Sequence, residues 1–379
     1  MVITKRIIIL LVFGIVSISQ VHAQKKGKLE KFIDKIYDKV EGDTSKPNKK
    51  YFMALPIWGL YPETGWRLGL SLVYLFHTKK DVVTRPSLVR LNGQYTQNKQ
   101  SSIKPYFDIF TNRNMFNFKG SYTYTKFIEN YWGIGNTQTD ASKELYDFTL
   151  NRLQLRGTYQ IYKNVYAGIN LETDKMSDLG FVDGSALKAS NIIGVNNSFT
   201  AGAGLVLSFD NRDHIYYPLH GHLIDISTLF NSKAIGSNYE FNNLTVDART
   251  YIKLWHHNVL ALQAFGNFNE GNIPFRQMGT IGSDMYMRGY YNGRFRDKHA
   301  AAVQAELRKQ VWGPISMVFF AGAGNVGNTL SNLFENIKPN YGIGIRGIAM
   351  RKERINLRID YGRGENGIQG MYFTLGEAF

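Results

Sequence analysis

From residue 51 onward, apolar and polar residues alternate with a period of two. Leu153, Leu155, Gly157, Tyr159 and Ile161 alternate with Arg152, Gln154, Arg156, Thr158 and Gln160. Leu244, Val246, Ala248 and Ile252 alternate with Thr245, Asp247, Arg249 and Lys253, and Ile355, Leu357, Ile359 and Tyr361 oppose Asn356, Arg358, Asp360 and Gly362. Successive side chains of a strand point to opposite faces, so each segment predicts a strand with one apolar and one polar face. Marking every such segment gives sixteen strands, starting near Lys50, Gly65, Arg85, Ser101, Met115, Leu145, Lys163, Ser198, His220, Asn238, His257, His299, Gly313, Lys338, Arg354 and Gln369. If the first strand runs upward from the periplasm, the lower connections at 112–114, 162–164, 255–257, 312–314 and 351–353 are short. The long ones, near 126–144, 174–198, 269–298 and 325–337, all fall on the upper side. A soluble sandwich shows similar alternation with its polar face in water. The even count, the loop asymmetry and the aromatics at strand ends instead predict an all-β fold, a 16-stranded antiparallel transmembrane β-barrel over residues 51–379.

Upstream of residue 51 the period is 3.6. Leu29, Phe32, Ile33, Ile36, Tyr37 and Val40 recur at helical spacing, which predicts a short amphipathic periplasmic helix of about three turns. Residues 25–50 hold nine Lys and five acidic residues, and 41–50, with Gly42, Ser45 and Pro47, is expected to be a linker. The helix suits a membrane-surface anchor or a docking element for a partner, and equally a helix packed on the protein's own lower rim. Before it, Lys5 and Arg6 precede the apolar run Ile7 to Ile18 and then Val21-His22-Ala23. That run is shorter than the roughly 20 residues of a spanning helix, so 1–23 is predicted to be a signal peptide and 24–50 the helix and linker. The expected location is the outer membrane of a diderm bacterium.

Composition narrows the function. The 379 residues include no Cys, which excludes disulfide scaffolds, thiolate metal sites and cysteine nucleophiles. The formal charge of +15 is spread along the chain rather than clustered, so no nucleic-acid partner is expected. Several enzyme-like patterns fail on context. Gly322-x-Gly324-x-x-Gly327 matches a dinucleotide fingerprint but lacks a βαβ unit. His220-x-His222 has no third metal ligand nearby. No Ser sits in a nucleophile elbow. Neither a cofactor nor enzymatic activity is predicted.

Two motifs carry a family resemblance. Met287-Arg288-Gly289-Tyr290 lies in the sixth upper connection, followed by Gly293-Arg294-Phe295-Arg296-Asp297 and Ala305-Glu306-Leu307-Arg308. Asp210-Asn211-Arg212-Asp213, then Tyr217-Pro218 and Gly221, mark the turn between the eighth and ninth strands. Both resemble the BamA/TamA (bacterial surface antigen) superfamily of sixteen-stranded outer-membrane proteins. The resemblance covers 51–379 and implies that the sixth loop folds into the lumen, where Arg288, with Gly289 and Tyr290, latches onto carboxylates of the twelfth and thirteenth strands. Alternation turns Gln304, Glu306 and Arg308 inward, so Glu306 is the expected partner. At the second position the family's aromatic-x-Asp-x-Gly reads Phe320-Ala321-Gly322-Ala323-Gly324, and Gly322 replaces the aspartate. A weaker latch is expected, or Asp360 or Asp247 stands in. The resemblance also implies that Asp210, Arg212, Asp213, Tyr217, Pro218 and Gly221 shape the periplasmic rim. Only residues 24–50 precede the barrel, so a member without POTRA domains is expected.

The last strand runs Gly370 to Leu375, with Met371, Phe373, Leu375 and Phe379 assigned to one face, and its terminal aromatic resembles the recognition signal of bacterial outer-membrane barrels. Pro56 removes a ladder donor from the first strand. Pro56, Phe373 and Phe379 are therefore the expected barrel seam. Three roles follow for a protein whose partners are outer-membrane lipid and either client barrel proteins or envelope-complex subunits. It inserts or translocates proteins through an opening seam, it is a barrel subunit of an envelope complex, or it is a passive channel made anion-leaning by Arg67, Arg90, Arg152, Arg156, Arg249, Arg308 and Arg358.

Overall fold

The structure is a computed structural model that describes residues 50–379 except 62–64, 80, 82, 98, 256–257 and 351–353. The signal peptide and the N-terminal helix lie outside the described residues. Sixteen strands form one sheet in sequence order, each antiparallel to the next. They are β1 (Tyr51–Tyr61), β2 (Gly65–Phe76), β3 (Ser87–Thr96), β4 (Ser101–Phe110), β5 (Phe116–Tyr131), β6 (Glu144–Tyr162), β7 (Val165–Phe181), β8 (Ser198–Asp210), β9 (Gly221–Asn231), β10 (Phe241–Lys253), β11 (Val259–Gly271), β12 (His299–Trp312), β13 (Ile315–Gly327), β14 (Lys338–Met350), β15 (Ile355–Arg363) and β16 (Gln369–Leu375). Two further three-residue strands, Gly279–Ile281 and Phe295–Asp297, pair as a small ribbon inside the long connection 272–298. The barrel is thus the expected one, with strand starts within about three residues of those expected.

The alternation has its physical consequence on the two faces. Leu68, Leu205, Val303, Ile345 and Phe373 are exposed on the outside, while Gln304, Glu306, Arg308, Arg346 and Asp360 are buried on the inside. An apolar exterior over a polar interior is the inverse of a soluble protein and fits a surface covered by lipid. Among the described residues no helix is long and apolar enough to cross a membrane. The connections separate into a loop end, which carries 132–143, 182–197, 272–298 and 328–337, and a turn end.

Three expectations need correction. The first part of each connection near 126–144 and 174–198 is strand: β5 and β6 pair from Phe116↔Tyr159 to Tyr131↔Glu144, and β7 continues to Phe181. Not every turn-end connection is short, since 77–86 and 211–220 hold ten residues each. Phe379 does not share the outward face of Phe373. The last strand stops at Leu375, Gly376 takes φ +91°, and Phe379 is buried with Tyr251, Val259 and Ala261 of β10 and β11.

β1 and β16 end the ladder order, and among the described residues no backbone pairing joins them. At the turn end their side chains meet. Tyr51, Met53, Val73, Leu75 and Leu88 from the first three strands form one apolar cluster with Met350, Ile355 and Leu375 from the last three. Pro56 lies exposed on β1 opposite Leu70 of β2.

Candidate functional site

The 272–298 connection enters the interior and is held there by a close backbone approach. Met287 and Gly289 have positive φ, +53° and +113°. A Cβ on Gly289 would stand 2.8 Å from the Arg363 nitrogen, and one on Gly362 would stand 2.6 Å from the backbone of Arg288. Glycine at both positions lets the loop tip lie flat on β15. Tyr290 is fully buried, and its hydroxyl donates to the Pro339 carbonyl (2.8 Å) and accepts from the Glu365 N–H (2.9 Å). The Tyr372 hydroxyl accepts from the Gly289 N–H (2.9 Å), and the Asn340 amide donates to the Arg288 carbonyl (2.9 Å). The tip is thereby tied to β14, β15 and β16.

Arg288 reaches from this tip into a buried network. Its Nη2 donates to Glu306 Oε2 (2.7 Å) and its Nη1 to Asp360 Oδ2 (2.6 Å). Its guanidinium lies 3.6 Å from the Phe320 ring centroid. Arg308 donates to Glu306 (2.8 Å) and to the backbone oxygen of Phe379 (2.7 Å). Arg346 joins Asp360 (2.5 Å) to Glu377 (2.8 Å), and Arg358 bonds Thr374 (2.6 Å) and Asp284 (3.0 Å). Arg288, Arg308, Arg346 and Arg358 thus face Glu306, Asp360, Glu377 and Asp284, four cations against four carboxylates. Glu377 follows the last strand. Burial opposes its ionisation, but Arg346 and Arg308 hold its carboxyl below the ordinary glutamate value. Charges this enclosed persist only when each is paired and hydrogen-bonded.

Of the two expected stand-ins for the aspartate missing at Gly322, Asp360 contacts Arg288, whereas Asp247 is bound by Arg249 (2.5 Å). The second carboxylate is thus supplied two strands beyond Gly322. Phe320 keeps the family's aromatic position and serves as the platform for the guanidinium. A Cβ on Gly324 would stand 3.1 Å from the Met287 sulfur, so small residues there admit the loop tip. Arg346, Glu377, Asp284 and Tyr372 were missed. Inward alternation on β14 could have flagged Arg346, but nothing in the pattern points to Glu377 beyond the strand end.

A second anchor holds the outer part of the same loop. Arg276 bonds Glu129 (2.5 Å) and the Tyr146 hydroxyl (2.5 Å) and lies 3.8 Å from the Phe148 ring. Burial disfavours the Arg276 cation, yet Glu129 and Tyr146 keep its pKa above the usual arginine value. Arg296 sits between the Tyr131 and Phe275 rings, and Arg294 over Trp132. Tyr146, Phe148, Leu150, Met176, Leu187 and Val195 pack with Phe275 beneath these loops.

At the turn end, Asp210 accepts two bonds from Arg212 (2.9 Å each) and one from Arg85 (2.7 Å). Asp213 accepts the backbone N–H groups of Leu219 (2.8 Å) and His220 (3.2 Å), and its other oxygen accepts from Arg354 (3.1 Å). Connections 77–86, 211–220 and 351–354 are joined through these two aspartates. Burial lowers His214 to about 4, helped by Arg354. Tyr217 lies beside Arg308 (5.7 Å), Pro218 is buried, and Gly221, at φ +106°, opens β9 against Asn211 and Arg212. His222 contacts the Thr250 hydroxyl (3.2 Å). Most arginines proposed to make the lumen anion-leaning are already paired. Arg152 bonds Asp174, Arg156 bonds Asp225 (2.7 Å), Arg249 bonds Asp247, and Arg308 and Arg358 belong to the buried network.

An apolar exterior, sixteen antiparallel strands and an infolded loop clasped by an arginine define a transmembrane β-barrel of the outer membrane. The chain belongs to the Omp85 superfamily, whose domain model matches residues 83–379. Among solved structures it is similar to BamA from Haemophilus ducreyi lacking POTRA domains 1-3, at 14% identity and TM-score 0.55 over 86% of this chain and 70% of that one. CdiB from Escherichia coli gives 8% identity and TM-score 0.58 over 94% and 72%. CdiB from Acinetobacter baumannii gives 11% identity and TM-score 0.53 over 86% and 59%. No curated protein matches the sequence. At these identities the likeness concerns the fold.

Proposed function

We propose that this barrel inserts or translocates proteins at the outer membrane and that the junction of β1 and β16 is its lateral exit. The observation that carries this reading is the interrupted ladder. Among the described residues β1 and β16 stand at the two ends of the strand order with no ladder between them, and β16 pairs with β15 over only seven residues. An unpaired edge offers a client strand a row of N–H and C=O groups, and pairing there is β-augmentation. The client class is an incompletely folded β-rich chain. Arg288, Gly289, Tyr290 and Glu306 act in this scheme as a latch that keeps the loop off the opening, and the Asp210–Gly221 turn stiffens the rim.

Because the chain has no native cysteine, one cysteine in 53–57 and another in 371–375 can be crosslinked unambiguously. In proteoliposomes the oxidised pair is expected to stop assembly of a supplied barrel client, and reduction is expected to restore it. Full activity in the locked barrel overturns the lateral exit.

A further inference from the structure

The inner wall formed by β3 and β4 carries cations that the clasp does not use. Arg90 lies opposite Tyr106 and Asn92 opposite Lys104, which makes Arg90 and Lys104 diagonal neighbours on the lumen face, a relation of roughly 7 Å between backbone positions. Along the same row Ser71 pairs with Asn92 on one side. On the other side the Ile103↔Tyr124 register brings Thr123 beside Lys104, and Thr123 in turn faces Arg152. Lys104 is exposed to the lumen and lies within electrostatic reach of Arg90, Arg152 and Asp284. Short polar side chains, Asn92 and Thr123, therefore flank Lys104 on both sides.

The carboxylates nearby are engaged elsewhere. Arg152 holds Asp174 and Glu172, Asp284 is bonded to Arg358, and Asp108 accepts from Asn117 (2.6 Å) and lies near Lys119 (3.5 Å). Among the described residues neither Arg90 nor Lys104 has a carboxylate at ion-pair distance. The Arg90 guanidinium rests over the Tyr106 ring (5.3 Å), and its buried Nε has no hydrogen-bond partner. The clasp is balanced four against four, and Arg90 and Lys104 on β3 and β4 lie outside that balance.

We propose that Arg90 and Lys104 form an oxyanion-binding site on the inner wall, taking a phosphate-class group. A tetrahedral oxyanion of double charge offers several acceptors to an arginine fork and an ammonium at once, with the Thr123 hydroxyl and the Asn92 amide around it, the Ser71 hydroxyl donating to Asn92 Oδ1 (2.7 Å). Chloride carries a single charge on one atom and lacks the separated acceptor oxygens that match a guanidinium fork. The group comes either as free phosphate in the lumen or as a lipid headgroup admitted along the seam. The site stands whether or not the seam serves as a protein exit.

The test is thermal unfolding of the full detergent-solubilised barrel with inorganic pyrophosphate, against sodium chloride at matched ionic strength. A parallel series uses micelles doped with phosphatidylglycerol or with phosphatidylcholine. Pyrophosphate is expected to raise the unfolding midpoint beyond matched chloride, and Arg90→Gln/Lys104→Gln is expected to weaken that apparent affinity roughly tenfold or more. Lys188→Gln, in the 182–197 connection, is expected to leave it unchanged. A shift that appears only with phosphatidylglycerol and disappears in the double variant assigns the same site to a headgroup. Lys104→Gln alone, at a solvent-exposed position, gives the same comparison if the double variant does not fold. Equal shifts in wild type and variant, or no shift beyond chloride with either ligand, overturn the site.

Discussion

Removing the guanidinium of Arg288 is the most direct perturbation of the clasp. The side chain is completely enclosed, as are Glu306 and Asp360. Breaking a buried ion pair by deleting one partner costs about 3–5 kcal/mol, mostly from the charge left behind. In Arg288→Ala neither carboxylate is left alone, because Glu306 keeps Arg308 at 2.8 Å and Asp360 keeps Arg346 at 2.5 Å. The lower end, about 3 kcal/mol, is therefore appropriate, with about 1 kcal/mol more for the lost stacking on Phe320. At 1.4 kcal/mol per decade, the population with the tip released rises roughly 10²- to 10³-fold. Met287 is fully buried and the chain lacks cysteine, so a Met287→Cys background reports release through maleimide labelling. When reclosing is faster than labelling, the rate follows that population. Labelling in Met287→Cys/Arg288→Ala is expected to accelerate by roughly the same factor. Adding Glu306→Gln restores the charge balance and is expected to give less than the sum of the single effects, by about 1 kcal/mol or more. Labelling within about threefold of background, together with strict additivity, refutes the clasp as an energetic anchor.

Other perturbations separate the remaining contacts. Gly362→Ala places a methyl group 2.6 Å from the Arg288 backbone and is expected to speed the same labelling without touching any charge. Arg276→Gln removes the bonds to Glu129 and Tyr146; protease cutting within 272–298 is expected to rise while labelling at position 287 stays within about threefold of background, as for independent sites. Asp210→Asn leaves Arg85 and Arg212 without their shared carboxylate and is expected to lower the unfolding free energy by about 3 kcal/mol, read from the urea midpoint. His214 is held at about 4 against an ordinary 6.5. The unfolded chain therefore takes up a proton that the folded barrel refuses. The associated stability is present above about pH 6.5 and is lost as the pH falls toward 4. His214→Asn is expected to flatten the urea midpoint between pH 7 and pH 5, and an unchanged slope removes His214 as the cause.

Sheet architecture was legible because the lipid boundary imposes a period of two that few other environments impose. Where the boundary stops, so does the signal. Tyr146, Phe148 and Leu150 face inward at the loop end, under 182–197 and 272–298, so apolar residues there mark the inside rather than the outside. The ends of β5 and β7 beside them, 126–131 and 174–181, read as loop for that reason. Arg288 and Glu306 were legible from motif and alternation together, and Asp360 only as one of two carboxylates, with Asp247, that Gly322 in place of an aspartate called for. The placement of Phe379 was not legible, because the reversal at Gly376 after β16 carries no periodicity. Arg276 could not be paired with Glu129 from sequence either, since 147 positions separate them and only the curvature of the sheet brings them together.

The bonds of the 272–298 loop divide the barrel wall unequally. They reach β5, β6, β8, β11, β12, β14, β15 and β16. None of these bonds involves β2, β3 or β4. A separation of β1 from β16 that carries the first four strands outward therefore leaves the clasp intact, whereas one that carries β14 to β16 must move the loop tip with them. At the turn end that movement is resisted by the cluster around Tyr51, Leu75, Met350 and Leu375 and by Arg85 bound to Asp210. No comparable apolar cluster spans the seam at the loop end among the described residues, so separation is expected to start there. Spin labels at Phe52→Cys and Leu375→Cys are expected to give a narrow distance distribution, and labels at Pro56→Cys and Met371→Cys a broader one. Equal widths at the two heights place the weak point elsewhere. In that case the short pairing of β16 with β15, seven residues long, becomes the first interface to cut.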